Sequence, residues 1–124
     1  MATKSYLARV ELHYDSDYKE LHELLYDIGY YRTIFLTDNH WHDLPHATYI
    51  HHADSSHDQQ KAILVQTIRD ELGIKPANKA TRKEKSFSLA VAESNSNEEA
   101  HYKVGYVLRL ANEESVLPPG ESLA

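Results

Sequence analysis

The chain has no cysteine. Disulfide scaffolds, thiol nucleophiles and cysteine-based zinc or iron–sulfur centres are therefore excluded. No stretch approaches the roughly 18 apolar residues of a membrane span. The first residues, Met1 to Tyr6, lack the apolar run that opens a secretory signal. A cytoplasmic protein is the expectation. No glycine-rich phosphate loop, GxSxG elbow or HExxH spacing occurs, so nucleotide-fold, serine-hydrolase and zincin readings have no support. Basic residues are also scarce. Thirteen lysines and arginines stand against nineteen acids, a net charge of −6. That global field repels nucleic acid, so any phosphate contact must come from a local patch.

What is abundant is histidine, nine in 124 residues, with 41% hydrophobic residues to fill one core. Unperturbed histidine titrates near pH 6.5. The net sign therefore turns positive if all nine are charged. The length suits one domain. We read 1–111 as that domain and 112–124, with its prolines and glutamates, as a disordered tail.

The periodicity predicts the elements. Tyr6, Ala8, Val10 and Leu12 alternate through a strand over 5–14. Leu21, Leu24, Leu25 and Ile28 give a helix over 18–28, opened by an Asp17–Glu20 capping pair and closed by Gly29. Residues 30–38 and 47–52 read as a hairpin. Ser55 and Asp58 open a second helix over 57–72, closed by Gly73. A strand follows at 86–93. Another is predicted over 101–110, with Tyr102, Val104, Tyr106, Leu108 and Leu110 on one face. The order β-α-β-β-α-β is ferredoxin-like, an α+β fold with an additional C-terminal strand. Such a sheet is antiparallel, with two helices on one face. Its other face is open, which makes a homodimer the preferred assembly.

Four groups of residues could carry chemistry. His40 and His42 share a face in extended backbone. With Asp38, Asp43 or His46 they are candidate ligands for a divalent metal. Glu11, Asp15 and Asp17 could hold magnesium across a dimer, or serve as turn and cap residues. Lys75, Lys79, Arg82, Lys83 and Lys85 hold five of the thirteen basic residues. With Arg9, Arg32, Tyr30, Tyr31 and Tyr49 they could bind single-stranded nucleic acid. Arg9, Lys83 and Lys85 are the candidate RNA contacts.

The segment Leu25-Tyr26-Asp27-Ile28-Gly29-Tyr30 after the first strand, with Asp38 and Ser55, resembles the GhoS antitoxin family. Those are ferredoxin-like proteins close to the CRISPR-associated small dimeric nucleases. The likeness spans about residues 5–93, mostly by element order. It implies an endoribonuclease antitoxin acting on the messenger of a membrane toxin. The chain departs from that pattern. His13 stands where the family has an acid, and Glu20 and His22 where it has arginines. His13 and His22, with Arg32, become the candidate catalytic residues, histidine near neutral pH suiting both proton donor and acceptor. The alternatives are a non-catalytic module that binds a protein partner through its acidic surface, and a metal or small-molecule sensor built on the histidines.

Overall fold

A computed structural model describes residues 3–78, 84–104 and 107–123. The elements run β1 (Lys4–Leu12), α1 (Lys19–Asp27), β2 (Thr33–Phe35), β3 (Trp41–Asp43), β4 (Thr48–Ala53), α2 (His57–Leu72), β5 (Lys75–Pro76), β6 (Ser86–Ser94) and α3 (Asn97–Val104). It is a mixed α+β architecture. Four strands form one sheet in the order β4-β1-β6-β5, and β2 pairs with β3 in a separate hairpin. Among the described residues no helix is long and apolar enough to cross a membrane.

β1 is the centre of the sheet. It pairs antiparallel with β4 and with β6, Ala8 facing Tyr49 on one side and Val91 on the other. Its alternation sends Ala8, Val10 and Leu12 into a core with Leu21 and Leu25 of α1, Leu64 and Ile68 of α2, Tyr49 and Phe87. Both of those helices therefore lie on one face, as the pattern predicts. Leu7 points the other way, into a second cluster with Ile34, Leu36, Leu44, Ile50, Ala100 and Leu108.

That second cluster corrects several expectations. The face predicted to be open is covered from within the chain, by the hairpin, α3 and residues around Leu108. The reason given for a homodimer falls away with it. The sheet is mixed rather than antiparallel, because the two-residue β5 runs parallel to β6. Proline is tolerated there because β5 is an edge strand, where a missing N–H leaves no ladder bond unmade.

The predicted C-terminal strand is a helix in its first half. Ser96 Oγ accepts from Glu99 N and the Ser96 carbonyl from Ala100 N, which starts α3. Ala100 is fully buried while Tyr102 is exposed, a helical phase that the alternating tyrosines hide. Residues 105–106 lie outside the described residues. Beyond them no strand forms among the described residues; Leu110 makes one isolated antiparallel bridge, to His42. Asp43 N–H donates to the Arg109 carbonyl and Ala111 N–H to the Trp41 carbonyl, so this segment flanks β3.

The caps also shift. Ser56 and Gln59, one residue later than predicted, form the capping box of α2. The N-cap of α1 is Tyr18, which is left-handed (φ 66) and makes no side-chain cap; Asp17 instead accepts from Lys19 N–H at 3.0 Å. The segment read as a disordered tail lies against the hairpin and α1. Thr33 Oγ1 donates to the Val116 carbonyl (3.2 Å) and the Tyr26 hydroxyl to the Leu117 carbonyl (3.0 Å).

Gly29 is needed for two reasons. Its φ is +89, and an added Cβ would sit 3.0 Å from the His51 ring, whereas Gly73 (φ +68) has nothing within 4 Å. The left-handed backbone costs a non-glycine residue roughly 1–2 kcal/mol. Gly73→Ala should lose that amount in urea unfolding, and Gly29→Ala distinctly more. Equal losses would show that the contact with His51 carries no weight.

Candidate functional site

The sequence-predicted catalytic residues separate into two places. His22 and Arg32 line the same cavities. His13 does not join them. It sits past the end of β1, its N–H on the Ser86 carbonyl and its Nε2 2.5 Å from Ser88 Oγ on β6. A His13–His22 proton shuttle therefore has no geometric support.

The partner that His22 does have is His46. Their ring centroids lie 6.4 Å apart at an interplanar angle of 86°. The Tyr18 ring bridges them, 4.5 Å from His46 and 6.2 Å from His22. Tyr18 is fixed in turn by its hydroxyl, which accepts from Leu12 N–H at 3.0 Å. The sequence reading names His46 only as a metal ligand, and nothing local to either histidine signals the pairing. Residues 22 and 46 meet because α1 and the turn before β4 pack over the same end of the sheet.

Tyr49 connects this cluster to the core. Its ring is fully buried and its hydroxyl is 2.7 Å from His22 Nδ1. Burial pushes the phenol well above its ordinary range, so it stays protonated. His22 Nδ1 is the acceptor within reach. We assign the tautomer from that bond: Tyr49 donates to Nδ1, and the neutral imidazole carries its own proton on Nε2. His22 is neutral because partial burial, reinforced by Arg32 and His46, lowers its pKa to about 4 against a smaller opposing pull from Asp17.

A cavity of about 320 Å³ opens here, lined among others by His22, Arg32, Asp43, His46, Arg109 and Ser115. Its two guanidinium groups differ. Arg109 is neutralised by Asp43 Oδ2 (Nη2 at 3.0 Å, Nε at 3.3 Å), and Asp43 Oδ1 accepts from Ser115 Oγ at 2.7 Å. Arg32 has no ion pair among the described residues. Its carbonyl accepts from Leu44 N–H at 2.8 Å, which pins its backbone to the segment leading to His46. Glu114 lines the same cavity, so the site carries charges of both signs. A second cavity of about 370 Å³ adjoins, sharing His22, Arg32 and Val116. A larger depression of about 650 Å³ along α2, lined by Lys61, Val65 and Arg69, contains no imidazole or aromatic group.

Among the described residues, two of the three non-glycine residues with positive φ flank this cluster: Tyr18 (φ 66) and Ala47 (φ 62). Such backbone is costly, of order 1–3 kcal/mol, and collects at functional sites.

The remaining candidates lie elsewhere. His40 precedes β3 and is exposed, while His42 points inward, its Nε2 2.9 Å from Asp38 Oδ2. The two do not share a face, because the extended backbone begins only at Trp41. Among the described residues no group of three or more His, Asp or Glu is arranged to hold a metal ion. Glu11, Asp15 and Asp17 remain exposed. Arg9 is exposed on β1, and Lys85 Nζ lies 5.4 Å over the Tyr14 ring. Lys83, with Lys79 and Arg82, falls outside the described residues. Comparison with protein-family models, curated proteins and solved structures finds no match for the chain.

Protonation of this region should be visible in stability. His22 binds a proton near 6.5 when unfolded and near 4 when folded. His51, stacked on Tyr30 at 4.5 Å, is also held low by burial. Unfolding therefore takes up protons between those values, so stability is full above pH 6.5 and falls as pH drops toward 4. The carboxylates held low, Asp38, Glu93 and Glu99, act only below their ordinary range. The urea midpoint should decline between pH 6.5 and 4.5, and His22→Asn should make the decline shallower. An unchanged slope in that variant would refute the assignment.

Proposed function

We propose that the chain is an RNA-interacting protein that cleaves a phosphodiester bond at the His22–His46–Arg32 cavity. One observation carries the reading. Two imidazoles 6.4 Å apart flank a cavity whose guanidinium at Arg32 is in no ion pair among the described residues.

The chemistry follows from the groups. His46 is exposed and takes the proton of a ribose 2′-hydroxyl. The 2′-oxygen attacks phosphorus, the bond to the 5′-oxygen breaks, and a 2′,3′-cyclic phosphate forms. The departing oxygen takes its proton from the His46 imidazolium. Arg32 and the His22 Nε2–H stabilise the charge that develops on the phosphoryl oxygens. A neutral, fixed His22 suits donation of a hydrogen bond rather than proton removal, since its Nδ1 is occupied by Tyr49. No step needs a metal. Binding focuses on one phosphate instead of tracking a backbone, which fits a net charge of −6.

The strand order supports this reading. β6, β1 and β4 are antiparallel neighbours, and Tyr31 makes an antiparallel bridge to Ile50 on the far side of β4. The ferredoxin-like sheet has that strand order, with the second strand here reduced to a bridge and the β2–β3 hairpin added. The GhoS-like resemblance adds the proposal that the target is a toxin messenger.

A protein-binding module is the second reading. It is favoured by exposed apolar side chains near the hairpin edge, Phe35 (39%), Leu110 (54%) and Val107 (93%).

Incubating the protein with a mixed RNA pool in EDTA separates the two. We expect cleavage products ending in 2′,3′-cyclic phosphate. His46→Ala should slow cleavage by about 10²–10⁴-fold, and Arg32→Ala comparably, with melting curves unchanged for these two surface-lining residues. Intact RNA with the unmodified protein would overturn the proposal and favour the binding module.

A further inference from the structure

The second cavity has a different character from the first. It lies along one face of α1, where Lys19, His22, Glu23, Tyr26 and Asp27 follow one another at helical spacing. Tyr26 and the buried Tyr30 supply its aromatic wall. The Tyr26 ring is held from two sides, by the Tyr31 ring at 5.2 Å and by its hydroxyl on the Leu117 carbonyl at 3.0 Å. A ring fixed in this way can stack on a flat ligand without first losing rotational freedom.

The charges are the second observation. Asp17, Glu23 and Asp27 line the cavity together with Lys19 and Arg32, yet none is in an ion pair among the described residues. Opposite charges held apart around a cavity of about 370 Å³ are complementary to a ligand carrying an anion at one end and N–H donors at the other. Arg32, His22 and Val116 belong to both cavities. A phosphate at Arg32 therefore places the attached nucleoside in the second.

We propose that this cavity is a nucleobase subsite that selects guanine beside the scissile phosphate, with Tyr26 stacking on the base and Glu23 or Asp27 accepting its N–H groups. It rests on the reading of the neighbouring cavity as a phosphodiester site. The selection follows from carboxylate chemistry. An ionised carboxylate only accepts, and with two oxygens it accepts best from two adjacent donors. Guanine offers N1–H and the 2-amino group side by side. Adenine and cytosine place a lone pair beside their amino group, and uracil flanks its one N–H with two carbonyls. Bases splayed out of a single strand are commonly read in this way, by stacking and by their Watson–Crick edge.

Calorimetric titration of the full chain tests the subsite without cleavage. The probes are 3′-GMP, 3′-UMP and inorganic phosphate. 3′-GMP should bind about 10-fold more tightly than 3′-UMP, the discrimination expected of one bidentate pair. The double variant Glu23→Gln, Asp27→Asn should remove that preference without weakening phosphate. Both residues are exposed, so folding should not suffer. Tyr26→Leu should weaken both nucleotides and leave phosphate unchanged. Equal binding of the two nucleotides, a preference that survives the double variant, or no nucleotide binding would overturn the subsite. Cleavage without guanine preference would overturn it while leaving the phosphodiester reading. Guanine preference without cleavage would support the subsite and sink the catalytic scheme.

Discussion

β1 is shielded from water on both faces, and the rest of the molecule answers to that constraint. Ser5, Tyr6, Leu7 and Ala8 are all buried, so the strand cannot be a half-exposed edge or a one-sided sheet member. One face is closed by α1 and α2, the other by the hairpin, α3 and Leu108. A chain of 124 residues can cover both faces of three long strands only by using its hairpin and C-terminal segment as cladding. Toward the other end of β1, Arg9 and Glu11 are exposed while Val10 and Leu12 stay buried. The cladding on the second face runs out there. The turn at His46 and Ala47 lies beside that end, with Val10 N–H donating to the Ala47 carbonyl.

The site is a consequence of that boundary. Tyr49 belongs to the core by its ring and to the cavity by its hydroxyl. Through it the packing of the sheet sets the protonation pattern of His22. Of the neighbouring positive-φ residues, Tyr18 packs against the same core and Ala47 is buried. This arrangement couples rigidity to chemistry. A donor aimed into a cavity is useful only if it does not reorient when charge develops, and a buried phenol cannot follow. Arg32 beside it is in no ion pair among the described residues, whereas Arg109 is already satisfied by Asp43.

Much of the architecture was legible. α2 matches its predicted bounds because its apolar period and Gly73 agree, and β1, α1, β4 and β6 fall within a few residues. The C-terminal element was misread because Tyr102, Val104 and Leu108 fit a two-residue period as well as a partly buried helix, and only tertiary burial of Ala100 decides. Of the expected hairpin between 30–38 and 47–52, only the Tyr31–Ile50 bridge forms. A turn at Asn39 (φ 64), whose N–H donates to the Leu36 carbonyl, folds 41–43 back onto 33–35, and Ala47 (φ 62) separates them from 48–53 in the main sheet. Of the site, His22 and Arg32 were readable as polar residues near a strand–helix junction. His46 and Tyr49 were not readable as partners of His22, because those contacts span 24 and 27 residues along the chain. The local rule that paired His40 with His42 failed because it presumes a strand that begins one residue too early.

The central claim is that one phosphate of a single-stranded RNA sits between His22, His46 and Arg32. A crystal structure of the protein with a guanylyl dinucleotide whose attacking 2′-hydroxyl is replaced by hydrogen tests it most directly. The account expects the phosphate against the Arg32 guanidinium, with His22 Nε2 within hydrogen-bond distance of a phosphoryl oxygen and His46 facing the 2′ position. A dinucleotide bound instead along Lys75–Lys85, with the His22 cavity empty, would contradict it.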